Sequence, residues 1–287
     1  MKLPPYWLAV PGIAFLVAQH FVAPLYGAWY AFTDWSGLGP ATYIGLDNFR
    51  EIFSSEVQRT ALWNTLLLAG CFVVLVNVGG IALALALNRT LKSRNYLRVV
   101  FFAPVVVSSL AVGYLWRYIF TQDGALNQIL GAVGLESLAT TWLGDPRWAL
   151  WTVLVVMVWQ FVGEAMIIYL AALQGIGDEL EEAALMDGAP AWRIVTSITL
   201  PLLAPAITIV STLSIIRGLR VFDQVIALTG GGPVHATETL STQVYKQTFV
   251  DGRFGYGAAI ALIMTLLIAT LAIVNAVFFR RREARAG

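Results

Sequence analysis

The amino-acid sequence predicts an all-α integral membrane protein with six transmembrane helices and a cytoplasmic loop between the fourth and the fifth. Three observations carry that expectation. Hydrophobic residues fill 58% of the 287 positions and charged ones 12%, with a mean hydropathy of +0.73, whereas soluble domains carry about 25% charged residues. Six segments are long enough, at about 1.5 Å rise per residue, to cross about 30 Å of hydrocarbon. Lysine and arginine concentrate on alternate connections, which is how cytoplasmic loops are marked.

Taken in order, the first span runs from Trp7 to Phe32. It is too long and too aromatic for the apolar stretch of a secretory signal, and Met1-Lys2 is a meagre basic start, so an uncleaved anchor is expected. Thr33 to Ala61 lies outside and holds an interfacial helix begun at Asp47 (DNFREIF). The second span, Leu62 to Leu87, contains the single cysteine, Cys71. It has no disulfide partner and no spaced His or Cys neighbours, so it reads as an inert core thiol. The third span, Val99 to Phe120, holds Pro104, which with Pro11 and Pro24 should kink or open its helix where neighbours re-satisfy the backbone. After a mixed outer loop, Thr121 to Arg147, the fourth span covers Trp148 to Leu173.

A polar insert, residues 174–201, follows. The fifth span, Leu202 to Leu228, is entered through Pro201 and Pro205, whose missing N–H groups cost little in a first turn. The outer loop Thr229 to Tyr256 opens with Gly230-Gly231-Gly232-Pro233, which stops the helix and reads equally as a hinge-like exit or a plain turn at the helix end. The last span is Gly257 to Phe279. The 287 residues read as a single membrane domain without internal repeats.

Orientation follows from the basic residues. Lys2, Arg89, Lys92, Arg94, Arg98, Arg193, Arg280, Arg281, Arg282 and Arg285 fall on one side, ten in all, against five on the other: Arg50, Arg59, Arg147, Lys246 and Arg253. Both termini are therefore expected in the cytoplasm. Tryptophans 29, 35, 63, 116, 142, 148 and 151 gather near the opposite interface, as an aromatic belt does, while Trp159 is left near mid-membrane.

The insert is longer than a turn between helices requires. Asp178 and Glu181 stand in capping-box relation, Gly188 offers a left-handed stop and Pro190 can start a second helix. The first helix sets Glu179, Glu181, Glu182 and Asp187 beside Leu180, Ala183, Ala184 and Met186. An amphipathic helix resting on the inner leaflet is a poor account, because anionic lipid repels carboxylates and the insert has one arginine, Arg193. A protein partner with a basic-rimmed groove fits better.

This insert resembles the EAA loop of binding-protein-dependent ABC importer permeases. Glu182, Ala183, Ala184, Gly188, Ile198, Leu200 and Pro201 stand at the matching places. FTDWSG (32–37), IGLDNF (44–49), YLAALQGI (169–176), VFDQVIALTGGGP (221–233) and FGYGAA (254–259) resemble the carbohydrate, maltose-transporter-type branch, so the likeness spans nearly the whole chain. It implies a permease subunit in the inner membrane of a prokaryote. The expected assembly has two ABC ATPase subunits, a second and non-identical permease, and an extracytoplasmic sugar-binding protein, with lipid around it and no nucleic acid. It also implies that Glu181, Glu182, Ala183, Ala184, Asp187 and Gly188 couple to the ATPase, and that Gly230, Gly231, Gly232 and Pro233 meet the binding protein. No G-x-x-x-x-G-K-[ST] occurs. The chain is accordingly expected to be no enzyme and to hold no cofactor or metal, with ATP and Mg on the ATPase partners.

Four charges fall deep in the spans: Glu164, Arg217, Arg220 and Asp223. Facing lipid, each costs about 2.5 to 3.5 kcal/mol, so they face protein or a water-filled cavity. Two readings stand. They form mutual ion pairs, Arg220 with Asp223 at i, i+3 foremost, or they join Trp159 and Gln160 in a substrate site, since sugars take bidentate polar contacts and lie against rings. Glu164 and Arg217 depart from what the resemblance leads one to expect. An ion-coupled secondary transporter or channel using this cluster is the alternative, but it leaves the acidic insert idle.

Overall fold

The computed structural model describes residues 9–88 and 92–286. Among them every regular element is helical, beside one isolated bridge between Thr33 and Tyr43. Among the described residues, four helices are long and apolar enough to cross a membrane, or up to six if each of two bent pairs forms one span. Lys2, Trp7, Arg89 and the side chains of Asp178, Glu181, Arg280, Arg281, Arg282 and Arg285 lie outside what is described.

The elements in order are α1 (Val10–Val17), α2 (Ala23–Tyr30), α3 (Asp47–Ser54), α4 (Glu56–Leu87), α5 (Arg94–Val106), α6 (Ser109–Ile119), α7 (Ala125–Ala132) and α8 (Pro146–Leu173). They continue with α9 (Asp178–Met186), α10 (Ala191–Ile194), α11 (Leu200–Leu202), α12 (Ala204–Leu219), α13 (Asp223–Leu228), α14 (Leu240–Tyr245) and α15 (Phe254–Ala286).

Proline explains two irregularities. Wide π turns, Ala18–Val22 and Val195–Thr199, run up to Pro24 and Pro201. A proline ring crowds the carbonyl one turn earlier and offers no N–H to it, and the chain widens in response.

The third apolar segment behaves differently from a helix kinked at Pro104. Proline 104 sits inside α5, and the break comes later, at Val107 and Ser108, where ψ is 138° and 134°. There α5 and α6 meet at 102°. The fifth segment is also not one rod. The stretch Ala191–Leu202 and α12 meet at 71° around Leu203, α12 ends at Leu219, and α13 starts afresh at Asp223 after an irregular Phe222 (φ −136°, ψ −60°). In the insert, Gly177 with extended backbone takes the cap position, so Asp178 is the first helical residue and not the cap that a capping box requires.

The chain folds as two compact units. One comprises the N-terminal residues to Arg59 with Gln243–Leu266. Its centre is aromatic: Tyr30 stacks on Trp35 at 4.2 Å, and Trp35 meets Phe254 at 5.5 Å. Buried Asn48 donates to the carbonyls of Ala31 and Thr33 at 2.9 Å each, and Arg253 forks onto both carboxylate oxygens of Glu51 at 2.8 and 2.6 Å.

The second unit holds Thr60–Thr242 and the chain from Leu267. Its helices meet where side chains are small, which is how helices approach when lipid supplies no hydrophobic drive between them. A Cβ at Gly80 would lie 2.7 Å from that of Ala165, and one at Gly218 2.7 Å from the Cα of Ala69. Polar glue adds to this: the Asn77 carbonyl of α4 accepts from the Tyr169 hydroxyl of α8 and from Ser211 of α12 at 3.2 Å.

Candidate functional site

Three features of the second unit bear on function, and the first is a charged cavity. Helix α8 begins at an Asp145 cap, whose carboxylate accepts from the Arg147 N–H at 2.9 Å. It runs unbroken past Trp159, Gln160 and Glu164. At about 100° per residue, Gln160 and Glu164 share a face, while Trp159 stands about 140° away from Glu164. The three therefore do not converge. Trp159 packs edge-on against Trp116 at 5.2 Å and lines a separate apolar groove of about 760 Å³ with Gly70, Cys71 and Val74 of α4.

Gln160 is buried and bonded through both its nitrogen and its oxygen. Its amide donates to the Val107 carbonyl at 3.0 Å, and its own carbonyl accepts from Gln224 at 3.0 Å. It thus fills the backbone valence opened by the break between α5 and α6 and ties it to the first turn of α13. It ties the two breaks together from behind and is not in the lining of the charged cavity.

Glu164 and Arg217, 53 residues apart, pair across α8 and α12. Arg217 Nη1 donates to one carboxylate oxygen and Nη2 to the other at 3.0 Å, while the guanidinium carbon sits 4.5 Å from the centre of the Phe161 ring. Among the described residues no ion pair joins Arg220 to Asp223. The i, i+3 pairing requires continuous helix, and the chain is irregular between the two. Both are exposed and, with Arg217, Phe161, Met157 and Ser109, they line a cavity of about 330 Å³. Glu164 lies behind it, in an adjoining void of about 10 Å³ that shares Arg217 as a wall.

The second feature is α9 with its stop. Gly188 takes φ +75°; its N–H bonds the Leu185 carbonyl and the Ala189 N–H the Ala184 carbonyl, both at 3.0 Å. These are the two bonds of a Schellman cap. Glu179, Glu182, Ala183, Asp187 and Gly188 are exposed, and so are apolar Leu180, Leu185 and Met186, the last at 89%.

The third is the segment after Thr229. It is stapled down by hydrogen bonds along its length. Thr237 donates to the Gly232 carbonyl at 2.6 Å, Thr239 to that of Val221 at 3.1 Å, and Asn64 of α4 to those of Ala236 and Glu238 at 3.0 Å each. Glu238, which the sequence reading overlooked, is fully buried and accepts from Thr242 at 2.6 Å. A Cβ at Gly231 (φ +92°) would fall 2.4 Å from its Oε1, so this glycine is what lets the chain close over the carboxylate. Val234 (φ 46°) and His235 (φ 63°) form the exposed tip. Glu238 carries no spacing signal in the sequence; the nearest hint is the run of glycines before it.

Comparison with known proteins gives a consistent result. Residues 76–284 match the family model described as binding-protein-dependent transport system inner membrane component. The probable starch degradation products transport system permease protein AmyD of Thermoanaerobacterium thermosulfurigenes is 30% identical, over 97% of this chain and 94% of that one. The multiple sugar-binding transport system permease protein MsmF of Streptococcus mutans is 35% identical over 94% of each. Among solved structures, a bacterial alginate ABC transporter in complex with alginate pentasaccharide-bound periplasmic protein superposes with a TM-score of 0.83. The identity is 26%, over 97% of this chain and 94% of that one.

Proposed function

The chain belongs to the family of binding-protein-dependent transport system inner membrane components, and from that premise we propose that it forms half of the membrane pathway of an ATP-driven importer for a sugar, polyol or oligosaccharide. The cargo class is supported by relatives named for starch degradation products, multiple sugars and alginate. The chain is a transport permease subunit; hydrolysis of ATP, with its Mg, belongs to two separate ATPase subunits. A second, non-identical permease completes the passage, an extracytoplasmic binding protein delivers cargo at the segment opened by Gly230, Gly231, Gly232 and Pro233, and both termini lie in the cytoplasm.

The observation that carries this reading is the bare surface of α9. Leu180, Leu185 and Met186 stand exposed beside Glu179, Glu182 and Asp187. Uncovered apolar side chains among carboxylates suit a protein groove with a basic rim and not an anionic leaflet. Glu181, Glu182, Ala183, Ala184, Asp187 and Gly188 then form the coupling contact, the alanines permitting close approach. When ATP draws the ATPase subunits together, the contact moves as a lever and the permease pair rocks between inward- and outward-facing states. Arg217, Arg220 and Asp223 line the sugar's path, with Glu164 behind Arg217.

A single cysteine at position 186, in a chain with Cys71→Ser, tests the contact. It should crosslink to the copurified ATPase, and Glu182→Lys should abolish uptake while the binding protein keeps its affinity for sugar. Normal uptake by Glu182→Lys, or crosslinking only to the extracytoplasmic protein, refutes the reading.

A further inference from the structure

The ion pair behind the cavity wall is placed oddly for a group that touches cargo. Both terminal nitrogens of Arg217 are taken by the two oxygens of Glu164, and Phe161 lies under the guanidinium at 4.5 Å. The fork that grips a carboxylate bidentately is therefore occupied, and one face is covered. Glu164 itself does not line the larger cavity. The charges that do are Arg217, Arg220 and Asp223, and Glu164 brings the local sum to zero.

We infer that Glu164 is an internal counter-ion that masks Arg217, so that the passage accepts uncharged saccharides and turns away carboxylate-bearing ones. This rests on the reading of the cavity as the sugar's path. The physical reason is a competition for one fork. A uronate entering the cavity loses water, finds the Arg217 fork already bonded, and meets in Arg220 a guanidinium whose attraction Asp223 on the same wall offsets. A neutral sugar loses less on desolvation, and its hydroxyls use either sign, donating to Asp223 and accepting from Arg220. Removing the Glu164 charge leaves the wall net positive with a free guanidinium fork. A pair that merely braces α8 against α12 makes a different forecast: its loss weakens the protein and alters the binding of all sugars alike.

The test uses the purified complete transporter in detergent and two probes, trigalacturonate and its fully methyl-esterified form, in which each carboxylate charge is replaced by a neutral methyl ester, titrated calorimetrically without binding protein. The wild type should bind the ester at least tenfold more tightly than the acid. Glu164→Gln should shift the ratio at least tenfold toward the acid, and Glu164→Gln with Arg217→Gln should return it to within twofold of wild type, with thermal melting verifying that each variant is folded. A wild type that binds acid and ester equally overturns the inference without any variant. A ratio unmoved in Glu164→Gln, with both sugars still bound, overturns it while leaving the cavity as a sugar path. Binding of neither probe to any of the proteins overturns both.

Discussion

Replacing Gly188 separates the chain's own requirements from those of a partner. The residue closes α9 at φ +75° through two bonds of 3.0 Å, a conformation that costs a side-chain-bearing residue about 1 to 2 kcal/mol and that asparagine tolerates best. Such a cost shifts the population of the closed cap about 5- to 30-fold. Nothing lies within 4 Å of the place a Cβ would take, so a larger side chain adds no clash within this subunit. Gly188→Ala and Gly188→Trp should therefore melt alike. In proteoliposomes holding the complete transporter, Gly188→Asn should stay near wild type in uptake and Gly188→Ala should fall several-fold. Gly188→Trp should fall to background, because the indole enters the space of whatever grips α9. If Gly188→Trp transports as well as Gly188→Ala, no partner presses on this face and the coupling argument fails.

Three further outcomes follow from packing and charge. Gly163→Ala sets a methyl 1.8 Å from the Phe101 carbonyl oxygen, a backbone atom with no room to yield, so the cost should exceed the about 1–3 kcal/mol usual for overpacking and monodisperse protein should vanish from size-exclusion chromatography. Gly70→Ala, which meets nothing within 4 Å, should leave the yield unchanged. Asn64→Ala strips the donor shared by the carbonyls of Ala236 and Glu238, an exchange that costs about 1–3 kcal/mol where a buried group loses its bond, and should lower the melting temperature more than Gly70→Ala does. Asp145 is held below its ordinary value of 3.8, chiefly by the side-chain hydrogen bond from Arg147 and then by the Arg147 N–H. Its stabilising effect is thus present above about pH 5 and lost as pH falls through the lowered value; the melting gap between wild type and Asp145→Ala should close in acid.

The long helices were legible because apolar runs and their length obey the bilayer directly. Gly188 was legible because a left-handed stop has a residue signature. The break at Val107 was not: neither Gly nor Pro marks it, and it persists because a glutamine 53 positions later satisfies its carbonyl. The burial of Glu238 was hidden for a related reason, since an acid in an outer loop ordinarily faces water, and only Gly231 lets the backbone fold over it. For the mid-membrane charges, the cost argument asked for protein or a cavity: Glu164 and Arg217 pair with each other, while Arg220 and Asp223 line the cavity. It paired Arg220 with Asp223 because helical spacing was carried through a stretch where the helix stops.

That failure and the cavity have one origin. Irregular backbone inside a membrane protein is tolerated where side chains or water replace the lost helical bonds. Here the breaks at Val107–Ser108 and Arg220–Phe222 are joined by one relay, the Val107 carbonyl to Gln160 and Gln160 to Gln224. α6 and α13, the helices that leave the two breaks, touch so closely that a Cβ at Gly113 would lie 2.5 Å from that of Ala227. Two helices that stop at the same relay leave an opening that continuous rods would fill, and Ser109, Arg220 and Asp223 line it because they sit at the broken ends. The glutamine pair therefore positions the charged wall, Gln224 as part of the cavity lining and Gln160 from behind it. Gln160→Leu should cost stability through the orphaned Val107 carbonyl and should shift affinity for every sugar by a common factor, in contrast to the charge-selective effect of Glu164→Gln.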